Sequence, residues 1–194
     1  MGSSQFKVLT SAQVAALTTE QVAAIETSDI TSITSAALRG MTTDGIKALT
    51  TEQVANLTAV QVGGLTTAQV AAIETDDLNV LSSTQVRALA SAQVVALGTD
   101  QVAALNTTQV AALTSAQVSA ITTTQVSALT TDAVVALTTD QARMLSSAQV
   151  AALTTDQVAA IQTADLNAVT TAAIRGLTTD GIQALTTEQV AALT

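Results

Sequence analysis

The chain has 194 residues and a formal net charge of −9, with 48% hydrophobic residues but a single aromatic residue, Phe6. This charge argues against a nucleic-acid partner, because binding a phosphate backbone requires clustered Lys and Arg. Proline, cysteine, histidine, tryptophan and tyrosine are absent, which excludes disulfides, thiolate and imidazole metal ligands and the commonest general base. Apolar runs of only about five residues also argue against membrane insertion, since a spanning helix needs roughly 20.

The first eight residues allow two interpretations. Residues 1–4 (MGSS) resemble the remnant of an expression tag. Residues 1–8 also fit the frame of the repeat that follows, with Gln5, Phe6 and Val8 at its fifth, sixth and eighth positions. They are therefore either a tag remnant or a degenerate first repeat.

From Leu9 onward an eight-residue repeat, here called the octad, recurs without insertion or deletion. It is typified by residues 17–24 (LTTEQVAA), and steps of eight from Leu9 to Leu193 give 23 complete octads and two residues of another. A fixed short period indicates a repeat array rather than a set of globular domains. We therefore expect residues 9–194 to form one continuous array that is a fragment of a longer one.

Three folds can be tested against the octad. In one continuous helix the apolar face would rotate by roughly 80° with each repeat, so no apolar stripe would persist. A β-solenoid, the alternative, calls for two-residue alternation with Gly, Asn or Asp at its corners, and the octad lacks this pattern. We expect instead an all-α solenoid or superhelix in which each octad forms one very short capped helix.

Local signals within the octad agree with this fold. Thr18 would be the N-cap and Gln21 would complete a capping box, while Leu17 and Val22 would form the hydrophobic staple. All 15 acidic residues lie at the second, fourth or fifth positions and all six basic residues lie at the seventh, as the helix dipole favours. The third position is Ser or Thr in 22 of 23 octads, so it is the alternative N-cap.

Some octads change at two positions together. A long side chain replaces the second residue where a short acid replaces the fifth, which suggests that these positions exchange capping contacts. The pairs are Glu26 with Asp29, Glu74 with Asp77, and Gln162 with Asp165.

Helices this short do not form alone, so neighbouring octads must pack together. We expect the first, sixth and eighth positions to be buried, with a small eighth residue allowing backbones to approach closely. Met144 would then fill the volume that Ala142 leaves. Gln occupies 15 of 23 fifth positions and could form ladders between stacked octads, in competition with its capping role.

A longer block is duplicated on top of the octad. Residues 25–58 match residues 161–194 at 23 of 34 positions, an offset of 136 residues. Because the array has no polar capping repeat, end-to-end self-association through its uncapped termini is expected.

The sequence contains no strong candidate for a chemical site. The Ser/Thr row at the second and third positions could bind ice or glycans, but capping already explains it. The ten fourth-position acids could bind Ca²⁺, with Glu74, Asp76 and Asp77 as the densest group, but the helix dipole explains them too. We therefore predict no catalytic, cofactor-binding or metal-binding residue and no enzymatic activity.

Runs such as LTTEQVAA and LTSAQVAA resemble the Thr- and Ala-rich short-repeat regions of very large bacterial surface or secreted proteins. This resemblance implies a structural role as a rod-like spacer, an adhesin stalk or a scaffold outside the cell or on its surface. The alternative is a repetitive surface that binds ice, glycan, calcium or a protein. The glycine-rich calcium repeats that accompany many such proteins are missing here, which leaves the secretion route open.

Overall fold

A computed structural model describes residues 2–193, and these form 24 α-helices of four to six residues and no strand. The predicted all-α solenoid is confirmed, and the alternative β-solenoid is wrong. The chain divides into two compact units, Met1–Leu97 (unit 1) and Gly98–Thr194 (unit 2). The helices of unit 1 are α1 (Ser3–Phe6), α2 (Ser11–Ala15), α3 (Thr19–Ala23), α4 (Thr27–Ile30), α5 (Ser35–Leu38), α6 (Thr43–Lys47), α7 (Thr51–Asn56), α8 (Ala59–Gly64), α9 (Thr67–Ala71), α10 (Thr75–Asn79), α11 (Ser83–Ala88) and α12 (Ser91–Val95). Those of unit 2 are α13 (Thr99–Ala103), α14 (Thr107–Ala112), α15 (Ser115–Ala120), α16 (Thr123–Ala128), α17 (Thr131–Val135), α18 (Thr139–Ala142), α19 (Ser147–Ala151), α20 (Thr155–Ala160), α21 (Thr163–Ala168), α22 (Thr171–Ile174), α23 (Thr179–Ala184) and α24 (Thr187–Ala192).

Every helix begins at the third octad position, in steps of eight from Ser3 to Thr187. The second position is the N-cap throughout, with an extended backbone such as φ −75° and ψ 163° at Thr18. The N-cap at the second position is therefore confirmed, and the alternative at the third is wrong. The helix of residues 3–6 lies in the same register, with Gly2 as its N-cap.

Each helix is little more than one turn long and ends in a 3₁₀-type hydrogen bond. The Val22 N–H donates to the Thr18 carbonyl at 2.9 Å, an α-helical bond, and the Ile25 N–H then donates back to the Val22 carbonyl at 3.1 Å. This last bond spans three residues, as in a 3₁₀ turn, and so ends the helix at the eighth position. The carbonyl of the first-position residue has no partner within its own helix.

Within each unit the helices form three stacks, because each helix packs against the third helix along the chain. In unit 1 the stacks are α1–α4–α7–α10, α2–α5–α8–α11 and α3–α6–α9–α12. In unit 2 they are α13–α16–α19–α22, α14–α17–α20–α23 and α15–α18–α21–α24.

Side-chain hydrogen bonds connect one turn with the next. The Ser35 hydroxyl donates to the Val60 carbonyl, 25 residues later, and the Gln53 amide donates to the Val22 carbonyl, 31 residues earlier. These bonds span more than three octads and fewer than four, a spacing that the sequence alone could not give.

The core consists of the first and sixth positions, as predicted, together with the fifth, which was not predicted to be buried. From Ile25 to Val169 every first-position residue is buried, and so is every sixth-position residue from Val14 to Leu166. The expected burial of the eighth position is largely wrong, since only Ala72 and Ala112 are buried there. The fifth position takes its place because it faces the preceding turn.

Backbones approach closely at the eighth position of two octads, where the residue is glycine. A Cβ atom on Gly40 would lie 2.1 Å from the Ser11 carbonyl oxygen, and one on Gly176 would lie 2.0 Å from that of Ser147. Both distances are too short for a side chain. These helices therefore touch through the eighth position of one octad and the third position of the octad three earlier.

The proposed exchange of volume between Ala142 and Met144 is wrong. Met144 is 42% exposed, whereas Ala142 is buried. A cavity of about 10 Å³, lined by Ala142 with Val134 and Leu145 among others, remains beside the small residue. Met144 does not line this cavity, so it does not fill the volume.

Candidate functional site

The recurring polar feature of the interior is the fifth-position glutamine, whose amide oxygen caps its own helix. The Gln53 Oε1 accepts from the Thr50 N–H at 2.8 Å, and the Gln53 N–H donates to the Thr50 Oγ1 at 3.2 Å. This is the predicted capping box. It satisfies two of the backbone N–H groups that a helix start leaves without partners.

The amide nitrogen of the same residue caps a second helix, four octads earlier. The Gln53 Nε2 donates to the Val22 carbonyl at 2.9 Å and to the Ile25 carbonyl at 2.6 Å. The first-position carbonyl has no intrahelical partner, so this bond supplies one. Glutamines for which the structure describes both bonds are here called the interturn glutamines; they include Gln53, Gln61, Gln69, Gln85, Gln93, Gln141, Gln149, Gln157 and Gln189.

The two roles of this glutamine do not compete, contrary to the expectation from sequence. A primary amide has an acceptor oxygen and two N–H donors. In the interturn glutamines the oxygen serves the local N-cap and the nitrogen serves the neighbouring turn. No buried side-chain nitrogen or oxygen atom among the described residues lacks a hydrogen-bond partner.

Aspartate replaces the fifth-position glutamine at three places and makes a different contact with the preceding turn. The Thr139 hydroxyl donates to the Asp165 carboxylate at 2.8 Å, and the Ser3 hydroxyl donates to that of Asp29. Asp77 has the same relation to Thr51, whose hydroxyl lies 26 residues earlier. The partner is thus a third-position hydroxyl three octads back.

The predicted capping exchange between the second and fifth positions in these octads is wrong. The N-caps Glu26, Glu74 and Gln162 make no side-chain capping bond. The Gln162 Nε2 instead donates to the Val135 carbonyl in the preceding turn at 2.7 Å. An aspartate carboxylate has no N–H group to donate to the carbonyls of the preceding turn, so it accepts from a hydroxyl there instead.

The second-position hydroxyls act as helix caps. The Thr18 Oγ1 accepts from the Gln21 N–H at 3.3 Å, and the Thr114 Oγ1 accepts from the Gln117 N–H at 3.3 Å. The same bond recurs where the fifth residue is Ala or Gly, as between Thr42 and Gly45. Most of these threonines are exposed, yet each of the named ones has a hydrogen bond within the chain.

The acids lie at helix starts, as predicted from the dipole. The pKa of the exposed Glu20 carboxyl is lowered, chiefly by its own backbone N–H and further by the Thr18 and Thr19 hydroxyls. Burial raises the pKa of Asp77, as do the nearby charges of Glu74 and Asp76, while the Thr51 hydroxyl opposes the shift. A cation site needs ionised ligands, so this shift does not favour one at this cluster. Among residues 2–193 no group of three or more acids is placed to hold a metal ion.

The bases lie at helix ends. Lys47 and Arg87 occupy the last turns of α6 and α11, and Arg39, Arg143 and Arg175 are C-caps. The Arg143 guanidinium also pairs with the exposed Asp140 carboxylate at 3.3 Å. The bases thus lie apart from one another along the array.

A surface groove of about 390 Å³ lies in unit 1 and is lined by Lys7, residues 31–35, Thr58 and Gln61. Its Gln61 is an interturn glutamine, bonded to Ile30 and Ile33. The groove offers hydroxyl and backbone groups beside one ammonium group and no paired acid and base. No helix of the described residues has the length and apolarity needed to cross a membrane.

Comparison with known proteins identifies the repeat. A family model described as the ALTTAQ repeat matches residues 22–59, 70–107, 102–131, 110–143, 134–160 and 158–194. The six letters of that description correspond to the eighth position of one octad and the first five of the next, as in residues 16–21 (ALTTEQ). A search of curated proteins found no match.

Proposed function

Because the chain belongs to the ALTTAQ repeat family, we propose that it is a non-enzymatic spacer or stalk in a large bacterial surface or secreted protein. In this role the array holds other parts of the protein apart, and the number of octads sets the distance. The repetitive fold and the match to a family defined by its repeat alone support a structural module.

The observation that carries this proposal is the use of the interturn glutamines. Each adds the same two bonds to the turn before it, so an added octad with a fifth-position glutamine is stabilised by contacts that the array already uses. In arrays of this kind stability is roughly a sum of repeat and neighbour terms, and length can change without a new core. Such uniform contacts between octads suit a protein that needs a spacer of adjustable length.

The experiment varies the number of octads and measures the maximum dimension by small-angle X-ray scattering. Residues 25–56, four octads, are inserted once or twice more after Asn56. We expect the maximum dimension to increase by equal steps with each inserted block. A compact protein would instead grow with roughly the cube root of its mass, and that result would contradict the spacer.

A matched control inserts a block that is half an octad shorter, residues 25–52. This insertion places first-position residues after the break where fifth-position residues should lie. We expect a loss of helical circular dichroism around the insertion, since caps and core positions no longer coincide. Equal helicity in the two insertions would show that the octad register does not matter.

The location outside the cell is tested on intact cells of the source organism. An antibody raised against residues 9–194 is expected to label the cells without permeabilisation, or to detect the protein in the medium. Labelling that requires permeabilisation, with none in the medium, would contradict a surface or secreted protein.

A further inference from the structure

One stack of helices in unit 1 carries basic residues and no acid. It is the stack α2–α5–α8–α11, whose octads are residues 9–16, 33–40, 57–64 and 81–88. Its charged residues are Arg39 and Arg87, both exposed at the seventh octad position. Neither forms an ion pair with an acid of the described residues. This stack is therefore positively charged in a chain whose net charge is −9.

One stack of unit 2 carries acids and no base. It is the stack α14–α17–α20–α23, whose octads are residues 105–112, 129–136, 153–160 and 177–184. Its charged residues are Asp132, Asp156 and Asp180, all exposed at the fourth position of successive helices in the stack. None of them pairs with a base of the described residues. The two stacks thus carry opposite charges that no ion pair within the described chain neutralises.

The fourth and seventh positions lie on one face of each helix, because residues three apart are neighbours on a helix surface. The face of these positions in the unit 1 stack is here called the basic face, and that in the unit 2 stack the acidic face. The basic face has an uncharged row at its fourth positions, formed by Ala12, Ala36, Val60 and Thr84. The acidic face has its uncharged row at the seventh positions, formed by Ala111, Val135, Ala159 and Gln183. The charged and uncharged rows have therefore changed places between the two faces.

The charges have the same spacing on both faces. Arg39 and Arg87 lie on α5 and α11, two helices apart in their stack. Asp132 and Asp180 lie on α17 and α23, also two helices apart. Packed helices lie about 8–10 Å apart, so each pair of charges spans about 16–20 Å. Two arginines on one face can therefore meet two aspartates on the other.

We propose that the basic face of one copy of this chain binds the acidic face of a second copy, with the facing helices antiparallel. In this orientation the fourth row of each face meets the seventh row of the other. Arg39 would pair with Asp132 of the second copy. Arg87 would pair with Asp180 of the second copy. The occupant is a second copy because both faces belong to this chain and match in charge and in spacing.

An apolar contact lies between the two ion pairs. Val60, on the helix between the two arginines, is 75% exposed. The residue that it would meet is Ala159, which is exposed on the helix between the two aspartates. This contact removes apolar surface from water, while the planar guanidinium groups suit paired bonds to carboxylates.

Such an interface is heterologous, because the two copies contribute different surfaces. Each bound copy still offers one free face, so further copies can add. The contact lies along the sides of the helices and involves octads that have neighbours before and after them. The proposal does not depend on the spacer role, since it concerns contacts rather than purpose.

The basic face is tested by Arg39→Glu combined with Arg87→Glu, which would place acids against acids. Both side chains are exposed, so the chain keeps its fold, and circular dichroism compares the helicity. The expected result is an association constant at least about tenfold lower, measured by sedimentation velocity over a range of concentrations. The loss should shrink at about 1 M NaCl, where the screening length is about 3 Å. An equal loss at low and high salt would contradict the ion pairs.

The matched control is Lys47→Glu combined with Arg175→Glu. These two bases are also exposed at seventh positions, one in a last turn like Arg87 and one at a C-cap like Arg39. They lie outside both stacks, and their replacement changes the net charge by the same amount. The control is expected to associate much more strongly than the Arg39 and Arg87 variant. Equal losses would show that net charge, rather than the basic face, controls association.

Mixing two variants provides the decisive measurement. Asp132→Lys combined with Asp180→Lys makes the acidic face basic, so this variant is also expected to stay at the monomer mass of 19.4 kDa. Mixed with the variant that carries Glu at residues 39 and 87, it offers opposite charges at both kinds of contact. The mixture is therefore expected to associate although neither variant does so alone. A mixture that remains monomeric would overturn the proposal, as would a concentration-independent monomer for the unsubstituted chain.

Discussion

The same heptapeptide, LTTEQVA, occurs at residues 17–23, 49–55 and 185–191 and has three different environments. Each copy forms a helix with a complete capping box. In the first copy the glutamine is exposed and the valine is buried, in the second both are buried, and in the third only the glutamine is buried. The octad therefore determines its own helix, while its place in the array determines which residues are buried.

This comparison separates two contributions to stability. Capping is local and is the same in all three copies. The amide nitrogen of the fifth position finds its carbonyl acceptors in the preceding turn. The side chain of the sixth position is buried only where another turn follows it. Substitutions at equivalent positions should therefore have unequal effects, and the differences measure the contacts between turns.

The largest difference is expected between Gln53→Glu and Gln21→Glu. At Gln53 the substitution removes two donors and buries a carboxylate against the Val22 and Ile25 carbonyls, so we expect a loss of about 3–5 kcal/mol in the free energy of unfolding. At Gln21 the carboxylate stays exposed at a helix start, and the change should stay within about 0.5 kcal/mol. Urea unfolding followed by circular dichroism measures both. Equal losses would mean that the interturn bonds contribute nothing.

A smaller difference is expected between Val54→Ala and Val190→Ala. Val54 lies in the core between turns, and removing two carbons there should cost about 2 kcal/mol. Val190 is more than half exposed, and its truncation should cost less than about 0.5 kcal/mol. The two proteins are compared by thermal unfolding at equal concentration. A larger loss at Val190 would indicate that its side chain is covered in solution.

Local features of this fold could be predicted from the sequence because they arise within one octad. The N-cap at Thr18, the capping partner Gln21 and the sorting of acids and bases all depend on residues within one turn of helix. The first and sixth positions were predicted to be buried because they are apolar throughout. These signals recur along the 23 octads, so chance variation averages out.

The contacts between turns could not be predicted, because they involve backbone carbonyls that every residue has. One signal at the fifth position was nevertheless available. Glutamate never occurs there, although it serves as well as glutamine in a capping box and occurs at Glu20, Glu52 and Glu188, one residue earlier. A position where the amide recurs and the acid of the same length never occurs needs the N–H donors. That reasoning would have predicted the buried interturn bonds.

A further comparison concerns the octad at residues 137–144, where Ala142 replaces the usual sixth-position valine. Ala142→Val should fill the neighbouring cavity and raise the free energy of unfolding by about 1 kcal/mol. The control is Ala151→Val, at an exposed position near the end of α19, which should lower stability slightly through helix propensity. Differential scanning calorimetry distinguishes the two. A loss of stability at residue 142 would mean that the space is too small for two more carbons.

The smallest effect is expected at Asp77, which occupies the fifth position without the glutamine's amide. Its pKa is raised in the folded chain, first by burial, so its contribution to stability is fully present below the unfolded value near 3.8 and is lost as the pH rises through the folded pKa. Asp77→Asn keeps an oxygen for the Thr51 hydroxyl but carries no charge. It should therefore be more stable than the parent chain at neutral pH, and this advantage should shrink on acidification.

The control for this pH dependence is Asp76→Asn, one residue earlier and exposed. It removes a neighbouring charge but no buried one, so its advantage at neutral pH should be smaller than that of Asp77→Asn. Urea midpoints measured at neutral pH and below pH 3.8 give the comparison. If Asp77→Asn gained stability on acidification instead, the folded chain would be favouring the charged carboxylate. The Thr51 hydroxyl bond would then outweigh burial, and aspartate would be as suitable a fifth residue as glutamine.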